Sequence, residues 1–147
     1  MYWLDFLQTG KAAGELDWEA IGGTWGIATS RLLTWKPAGG FVPKYLFPVI
    51  EKIRGSHPKN GELMAQYVHK YFDDMSLHFR AARKLMRKGG TVHYIVGNST
   101  FYGNMVASDL LYVDQLSDAG FKNAEACAIR KRNSKKELIE FHVLAES

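Results

Sequence analysis

The stretch Gly89-Gly90-Thr91-Val92-His93-Tyr94-Ile95-Val96-Gly97-Asn98-Ser99-Thr100 decides the fold class of this chain. A long helical pattern ends at its double glycine. A β-branched, apolar run over residues 91–96 follows and stops in a small polar loop. In parallel α/β sheets, such loops bring polar groups to a ligand at the carboxyl ends of strands. The stretch therefore predicts an α/β fold in which residues 91–96 form a strand covered on both faces.

The pattern on either side of this strand predicts the rest of the C-terminal half. Apolar residues recur every three or four positions from Met64 to Met86, which predicts a long helix with Gly89 as its left-handed cap. After the strand, Ser108 is expected to cap a second helix that ends at Gly120. Strands over 121–132 and 137–145 then form a terminal hairpin, so residues 61–147 are predicted to be helix, strand, helix and hairpin.

Residues 1–60 are predicted to be an irregular segment rich in tryptophan and glycine, with one short helix over residues 42–54. All four tryptophans lie in the first 35 residues, and glycines interrupt any regular period there. Long irregular segments in compact proteins are usually functional or pack on a partner. We expect the whole chain, residues 1–147, to be a single but partial domain.

Composition excludes several classes of protein. With 147 residues, 46% hydrophobic and 23% charged, the chain has the makeup of one folded domain rather than of a disordered segment. Its single cysteine, Cys127, excludes an internal disulfide and fits a reducing compartment. No leader or membrane-spanning run is recognised, so a cytoplasmic protein is expected. Five histidines without an HExxH motif predict no metal site.

Basic residues form two clusters in a chain of net charge +4. The first lies within residues 80–88, and the second lies within residues 130–136. One interpretation is compensation of a helix dipole for the first cluster and a solvated hairpin tip for the second. The other interpretation is contact with phosphates. The modest net charge favours the first.

Three segments carry a resemblance to a known family. They are Met1-Tyr2-Trp3-Leu4-Asp5-Phe6-Leu7, then Ile21-Gly22-Gly23-Thr24-Trp25-Gly26-Ile27-Ala28-Thr29-Ser30, and then Val96-Gly97-Asn98-Ser99 with Arg130-Lys131-Arg132-Asn133-Ser134-Lys135-Lys136-Glu137. In this order they resemble the C-terminal part of site-specific DNA methyltransferases that modify the exocyclic amine of cytosine or adenine. The resemblance implies the C-terminal part of a Rossmann-like, S-adenosylmethionine-dependent methyltransferase fold, whose final strand inserts antiparallel beside its neighbours.

The sequence also departs from this family. It has no glycine-rich cofactor loop, no acidic residue for the ribose of the cofactor and no (D/S/N)PPY motif, since none of its four prolines are adjacent. The resemblance implies that these parts lie upstream of Met1. We therefore expect the isolated chain to be incomplete and inactive. Its expected partners are DNA, the N-terminal half of the same enzyme and, through an uncovered sheet edge, a second copy of the chain.

The resemblance also implies site residues. The family flips its target base out of the duplex and stacks it on an aromatic ring. Candidates for the target-base pocket are Asn98, Ser99, Thr100, Phe101 and Tyr102, and candidates for DNA contacts are Trp25, Arg31, Arg130, Lys131, Arg132 and Lys135. For Asn98 and Ser99 the alternative is that they only satisfy a turn, and for Phe101 and Tyr102 it is core packing.

Three other functions stay open. The chain could be a non-catalytic remnant that binds nucleic acid or a partner protein, or it could belong to a related RNA methyltransferase. A hydrolase is a weak alternative, because Gly97-Asn98-Ser99 lacks the second glycine of a G-x-S-x-G elbow, and the next glycine is Gly103.

Overall fold

The computed structural model describes residues 9–23, 29–132 and 138–147. The chain is a mixed α/β protein, as the sequence predicts. Its elements, in order, are α1 (Gly10–Glu19), α2 (Thr29–Thr34), α3 (Leu46–Gly55), α4 (Gly61–Leu85), β1 (Thr91–Gly97), β2 (Ser99–Phe101), β3 (Asn104–Val106), α5 (Ser108–Asp118), β4 (Lys122–Lys131) and β5 (Ile139–Glu146).

The main sheet has the order β1-β5-β4, and both pairs of neighbours are antiparallel. The last strand of the chain therefore lies in the middle. β1 and β4 run in the same direction on either side of it, and α5 connects them. Among the described strands, only β5 pairs with β1.

The two faces of β1 differ, which corrects the prediction of a strand covered on both faces. Tyr94 packs against Phe79 of α4 and Tyr112 of α5, with ring centroids 5.0 and 6.0 Å apart. On the other face, Ile95 keeps 65% of its surface exposed. The described helices cover only the face that bears Tyr94, and the opposite face is open.

Helix α4 is the centre of the hydrophobic core. The predicted period places Phe72 and Phe79 among the fully buried side chains, together with Leu111 and Leu116 of α5. The helix ends at Leu85, however, and not at the double glycine. Gly89 has a left-handed φ of +76°, but its N–H donates to the carbonyl of Ser147 and so closes the turn into β1.

A buried polar network ties residues 38–41, here called the strap, to α4. The carboxylate of Asp73 has no exposed surface and accepts the N–H groups of Ala38 and Gly40, both at 2.8 Å. The hydroxyl of Ser76 accepts the N–H of Phe41 at 2.8 Å. The side-chain amide of Gln115 donates to the carbonyl of Phe41 at 2.7 Å. The chain entering α3 is therefore held by specific acceptors and donors.

The N-terminal part is more regular than the sequence predicts. Gly14 lies inside α1, where Thr9 caps the helix by accepting the N–H of Ala12 at 3.2 Å. The ring of Trp18 lies beside the charged groups of Arg31 and Lys70, at 4.5 and 4.9 Å. The helix predicted over 42–54 is shorter and spans Leu46–Gly55.

Replacing the strap anchor is expected to destabilise the protein. In Asp73→Asn, one of the two backbone N–H groups faces an amide N–H instead of an oxygen, which costs about 1–3 kcal/mol. Chemical denaturation measures this loss. Glu125→Gln, the same loss of a carboxylate at an exposed position of β4, is the control and is expected to change stability by less than about 0.5 kcal/mol. Equal stability of the two variants would contradict the role of Asp73.

The imidazole of His69 is expected to make stability depend on pH. It packs edge-on against Trp35 and Phe47, and this burial lowers the pKa of His69 below its ordinary value near 6.5. The unfolded state then binds the proton more readily than the folded state. The stability that buried, neutral His69 contributes is therefore complete above the pKa of the unfolded state, and it is lost as the pH falls through the pKa of the folded state. On acidification, the melting temperature of His69→Gln should fall less than the melting temperature of the exposed control His78→Gln. Identical declines would contradict this assignment.

Candidate functional site

A cavity of about 220 Å³ opens at the carboxyl end of β1, where the strand meets α4, the β2–β3 hairpin and the start of α5. Its lining residues are Tyr67, Val68, Tyr71, Phe72, Val96, Gly97, Ser99, Phe101, Val106 and Ser108. This is the end of the strand at which the sequence predicts a ligand crevice.

Four of the ten residues that line the cavity are aromatic. Tyr67 and Tyr71 stand one turn apart on α4, and Phe101 faces them from β2. The ring centroids of Tyr67 and Phe101 are 6.4 Å apart at an interplanar angle of 57°. Concave, aromatic sites with a few polar groups are typical of small-molecule pockets. This wall suits a flat ring.

The tyrosines of the wall are neutral. Burial raises the pKa of Tyr71, and its hydroxyl lies 2.5 Å from that of Tyr112, whose pKa burial also raises. Burial raises the pKa of Tyr67 too, and its hydroxyl donates to the carbonyl of Gly22 at 3.0 Å. The lining contains no carboxylate, histidine or cysteine. The described lining therefore offers aromatic rings and neutral hydroxyl groups.

The β2–β3 hairpin, which positions Phe101, was not predicted from the sequence. Tyr102 and Gly103 have φ values of +50° and +81°, as a tight two-residue hairpin turn requires. The ring of Tyr102 stacks on His57 with centroids 5.2 Å apart, and Asn104 donates to the hydroxyl of Ser56 at 3.0 Å. The hairpin is thus fastened to the end of α3.

Of the five predicted pocket residues, Ser99 and Phe101 line the cavity. Asn98 does not, because its side-chain oxygen accepts the N–H of Ile139 at 2.8 Å and so joins the end of β1 to β5. Thr100 pairs with Met105 in the hairpin, and Tyr102 lies 43% exposed at its tip. For Asn98 the structure thus shows a contact between two strands, which neither the pocket role nor the turn role had predicted.

The predicted DNA contacts fall into three groups. Trp25 and Lys135 lie outside the described residues. Arg31 forms an ion pair with Glu15 at 2.9 Å, and Arg130 forms one with Glu140 at 2.6 Å that holds the pKa of this carboxyl below its usual range. The third group, Lys131 and Arg132, is exposed.

Arg132 is the candidate nearest the cavity. Its guanidinium lies against Gly97, 3.0 Å from where a Cβ atom would stand, and Gly97 lines the cavity. In the α4 cluster, Arg80 pairs with Asp118 at 2.9 Å and Arg83 donates to the carbonyl of Gly120 at 3.1 Å. These two arginines therefore contact the end of α5, a role that neither interpretation of that cluster had named.

Eight of the ten lining residues were not among the sequence candidates, and three of these eight carry hydroxyl groups, namely Tyr67, Tyr71 and Ser108. The helical period predicted Tyr71 as a core residue. Such a period indicates which side chains are buried, but it does not indicate whether they pack against other side chains or line a cavity. Ser108 was expected to cap α5, but the cap is Ala107, without a side-chain hydrogen bond. Ser108 is instead the first helical residue and lines the cavity.

The described residues provide neither a metal-binding cluster nor a membrane-spanning helix. Across residues 9–23, 29–132 and 138–147, no group of three or more His, Cys, Asp or Glu side chains is placed to hold a metal ion. No helix in this part of the chain is long and apolar enough to cross a membrane. Comparison with protein-family models, with curated proteins and with solved structures gave no match.

The role of Asn98 predicts a stability defect. Asn98→Ala leaves the N–H of Ile139 without its acceptor in a partly buried position, which is expected to cost about 1 kcal/mol. Asn60→Ala is the control, because Asn60 is exposed and its side chain makes no cap hydrogen bond. Urea denaturation of both variants gives the comparison, and a loss no greater for Asn98→Ala than for the control would refute the role.

Proposed function

We propose that this chain is the C-terminal part of an S-adenosylmethionine-dependent DNA methyltransferase acting on an exocyclic amino group, and that the cavity receives the target base. The observation that carries the proposal is the aromatic cavity at the carboxyl end of β1. An enzyme that modifies a base must take it out of the stack and hold it in a closely fitting pocket. Tyr67 and Phe101 offer ring faces for that purpose.

The position of the last strand supports the same proposal. β5 lies antiparallel between β1 and β4, and the resemblance to the methyltransferase family implies a final strand inserted in this way. In the proposal, these three strands are the C-terminal edge of a larger Rossmann-like sheet.

The edge of β1 that faces away from β5 supports the proposal that a further strand pairs with it. The N–H of Asn98 donates to the carbonyl of Ile139, and the N–H of Ser147 donates to the carbonyl of Gly90. Because the residues of an antiparallel strand alternate in direction, every second residue between Gly90 and Asn98 forms its backbone hydrogen bonds with β5. The residues between them, among them His93 and Ile95, direct their N–H and C=O groups to the other edge. No described strand pairs there. In the proposal this edge binds a strand of the N-terminal half, and in the isolated chain it promotes self-association.

The described residues do not fit S-adenosylmethionine. The cavity of about 220 Å³ is smaller than the roughly 300–1,000 Å³ typical of sites for drug-sized ligands, and its lining has no acidic residue to hold a ribose. The proposal therefore assigns the cofactor and the groups that activate the amine to the N-terminal half. This chain holds the base by stacking and excludes water around it.

Arg132 has a defined role in this proposal. Its exposed guanidinium lies beside Gly97 at the edge of the cavity, where it can pair with a phosphate next to the flipped nucleotide. Such a contact orients the DNA without reading its sequence.

A first prediction concerns the cofactor. A ligand that binds only the folded state stabilises it by about 2.7 kcal/mol at a hundredfold excess over its dissociation constant. We expect S-adenosylmethionine to leave the melting temperature of this chain unchanged. A saturable rise in a thermal-shift titration would contradict the assignment of the cofactor to the N-terminal half.

A second prediction tests the base cavity. A short DNA duplex with one unpaired cytosine or adenine is expected to bind at least about tenfold more tightly than the fully paired duplex, since the cost of unstacking is largely removed. Fluorescence anisotropy measures both affinities. Phe101→Leu should reduce this preference, whereas Phe47→Leu, a partly exposed phenylalanine of α3, should keep it.

The same experiment separates the alternatives. A non-catalytic remnant that binds only phosphates, through exposed residues such as Lys131, would bind paired and unpaired duplexes equally. That result would contradict the base cavity. A preference for the matching RNA duplex with an unpaired base would favour the related RNA enzyme.

A further inference from the structure

Two tyrosine hydroxyls meet where α4 packs against α5. The hydroxyl oxygens of Tyr71 and Tyr112 lie 2.5 Å apart. Tyr71 lines the cavity, whereas Tyr112 is 4% exposed and is not one of the residues that line it. Tyr112 follows Ser108 by one helical turn on α5, and Ser108 also lines the cavity. The contact between the two hydroxyls therefore lies beside the wall that α5 gives to the cavity.

The two hydroxyls carry one more proton than their own contact uses. Burial raises the pKa of both tyrosines, so each hydroxyl keeps its proton. A hydrogen bond between two hydroxyl oxygens uses only one of the two protons. Among the described residues, neither hydroxyl has another hydrogen-bond partner. Both oxygens are therefore hydrogen-bonded, but one O–H group of the pair has no acceptor within the described protein.

Burial decides which tyrosine carries the O–H group that lacks an acceptor. If Tyr71 donated to Tyr112, the O–H group of Tyr112 would be enclosed in protein without an acceptor, which is unfavourable. If Tyr112 donates to Tyr71, the remaining O–H group belongs to Tyr71, which lines the cavity, where water or a ligand can accept it. The second arrangement leaves no donor stranded in the core. We therefore assign Tyr112 as the donor within the pair and Tyr71 as a donor towards the cavity.

The hydroxyl of Tyr67 is engaged elsewhere. Tyr67 stands one turn before Tyr71 on α4 and also lines the cavity, but its hydroxyl donates to the carbonyl of Gly22 at 3.0 Å. Of these two tyrosines, Tyr71 is thus the one whose proton is available to a ligand. The α4 wall of the cavity combines the aromatic rings with one directed hydrogen-bond donor.

We propose that Tyr71 donates a hydrogen bond to an acceptor atom in the ring plane of the bound base, and that Tyr112 holds the Tyr71 hydroxyl in this orientation. The inference rests on the proposed function and names the residue that fixes the base within its plane. Stacking on an aromatic ring tolerates many orientations of the base, whereas a hydrogen bond is directional. Cytosine and adenine both carry acceptor atoms in the ring plane. Tyr71 is therefore a binding residue, and Tyr112 is a positioning residue.

Titration of the full chain with 2′-deoxycytidine and with 2′-deoxyadenosine, followed by amide chemical shifts around Ser99 and Phe101, tests the inference. Tyr71→Phe should weaken the binding of both nucleosides about fivefold, since it removes one hydrogen bond and keeps the ring. An analogue of deoxycytidine in which a benzene ring replaces the base has no acceptor in the ring plane, so Tyr71→Phe should leave its affinity unchanged. Tyr94→Phe is the control, because the hydroxyl of Tyr94 lies 3.1 Å from Nε2 of His78 and Tyr94 does not line the cavity.

Two further variants keep the test decisive if Tyr71→Phe is unstable. Tyr71→Phe leaves the buried hydroxyl of Tyr112 without its acceptor, so its melting temperature is expected to fall. The double variant with Tyr71→Phe and Tyr112→Phe removes both hydroxyls and leaves neither unpaired, and it should show the same loss of nucleoside binding. Tyr112→Phe alone keeps the donor of Tyr71 and should weaken nucleoside binding less than Tyr71→Phe does.

The outcomes separate this hydrogen bond from the base cavity itself. Nucleoside affinity that is unchanged in Tyr71→Phe and in the double variant would overturn the inference, and so would an equal loss of affinity for the benzene analogue. Tighter nucleoside binding by Tyr112→Phe would mean that Tyr71 donates to Tyr112, which would also overturn it. These results would leave the base cavity standing. Absence of shifts at the cavity with either nucleoside would overturn both proposals.

Discussion

The buried carboxylate of Asp73 is the interaction on which the position of the cavity depends. It holds Ala38 and Gly40 of the strap against α4, and Gly40 approaches the backbone of Asp73 so closely that a side chain would collide. The strap leads directly into α3, whose C-terminal end contacts the β2–β3 hairpin through Ser56. Since that hairpin carries Phe101, one carboxylate on α4 indirectly positions the opposite wall of the site.

The chemistry of the cavity follows from this scaffold. α4 contributes Tyr67 and Tyr71 to the wall, and burial keeps both hydroxyls protonated, so the wall offers ring faces without charge. Ser99 and Ser108 add hydroxyl groups where β1 ends and where α5 begins. In the proposed function this surface holds the base, and the chemical step is assigned to the N-terminal half.

Sequence patterns predicted the elements but not their surroundings. The period of α4 and the apolar run of β1 located both elements, because these patterns record which residues avoid water. They do not record what covers a residue. Ile95 is apolar yet 65% exposed, so β1 resembled a strand buried on both faces. Likewise Tyr71 lies on the apolar face of the predicted helix, although its ring lines a cavity. The hairpin turn at Tyr102 and Gly103 was not predicted, because only one of its two residues with positive φ is a glycine.

The most direct test of the account is a crystal structure of this chain bound to a short DNA duplex that carries one unpaired cytosine. We expect the cytosine ring to lie in the cavity against Tyr67 or Phe101, with the guanidinium of Arg132 near a neighbouring phosphate. A cytosine that stays stacked in the duplex, or DNA bound on another face while the cavity stays empty, would contradict it.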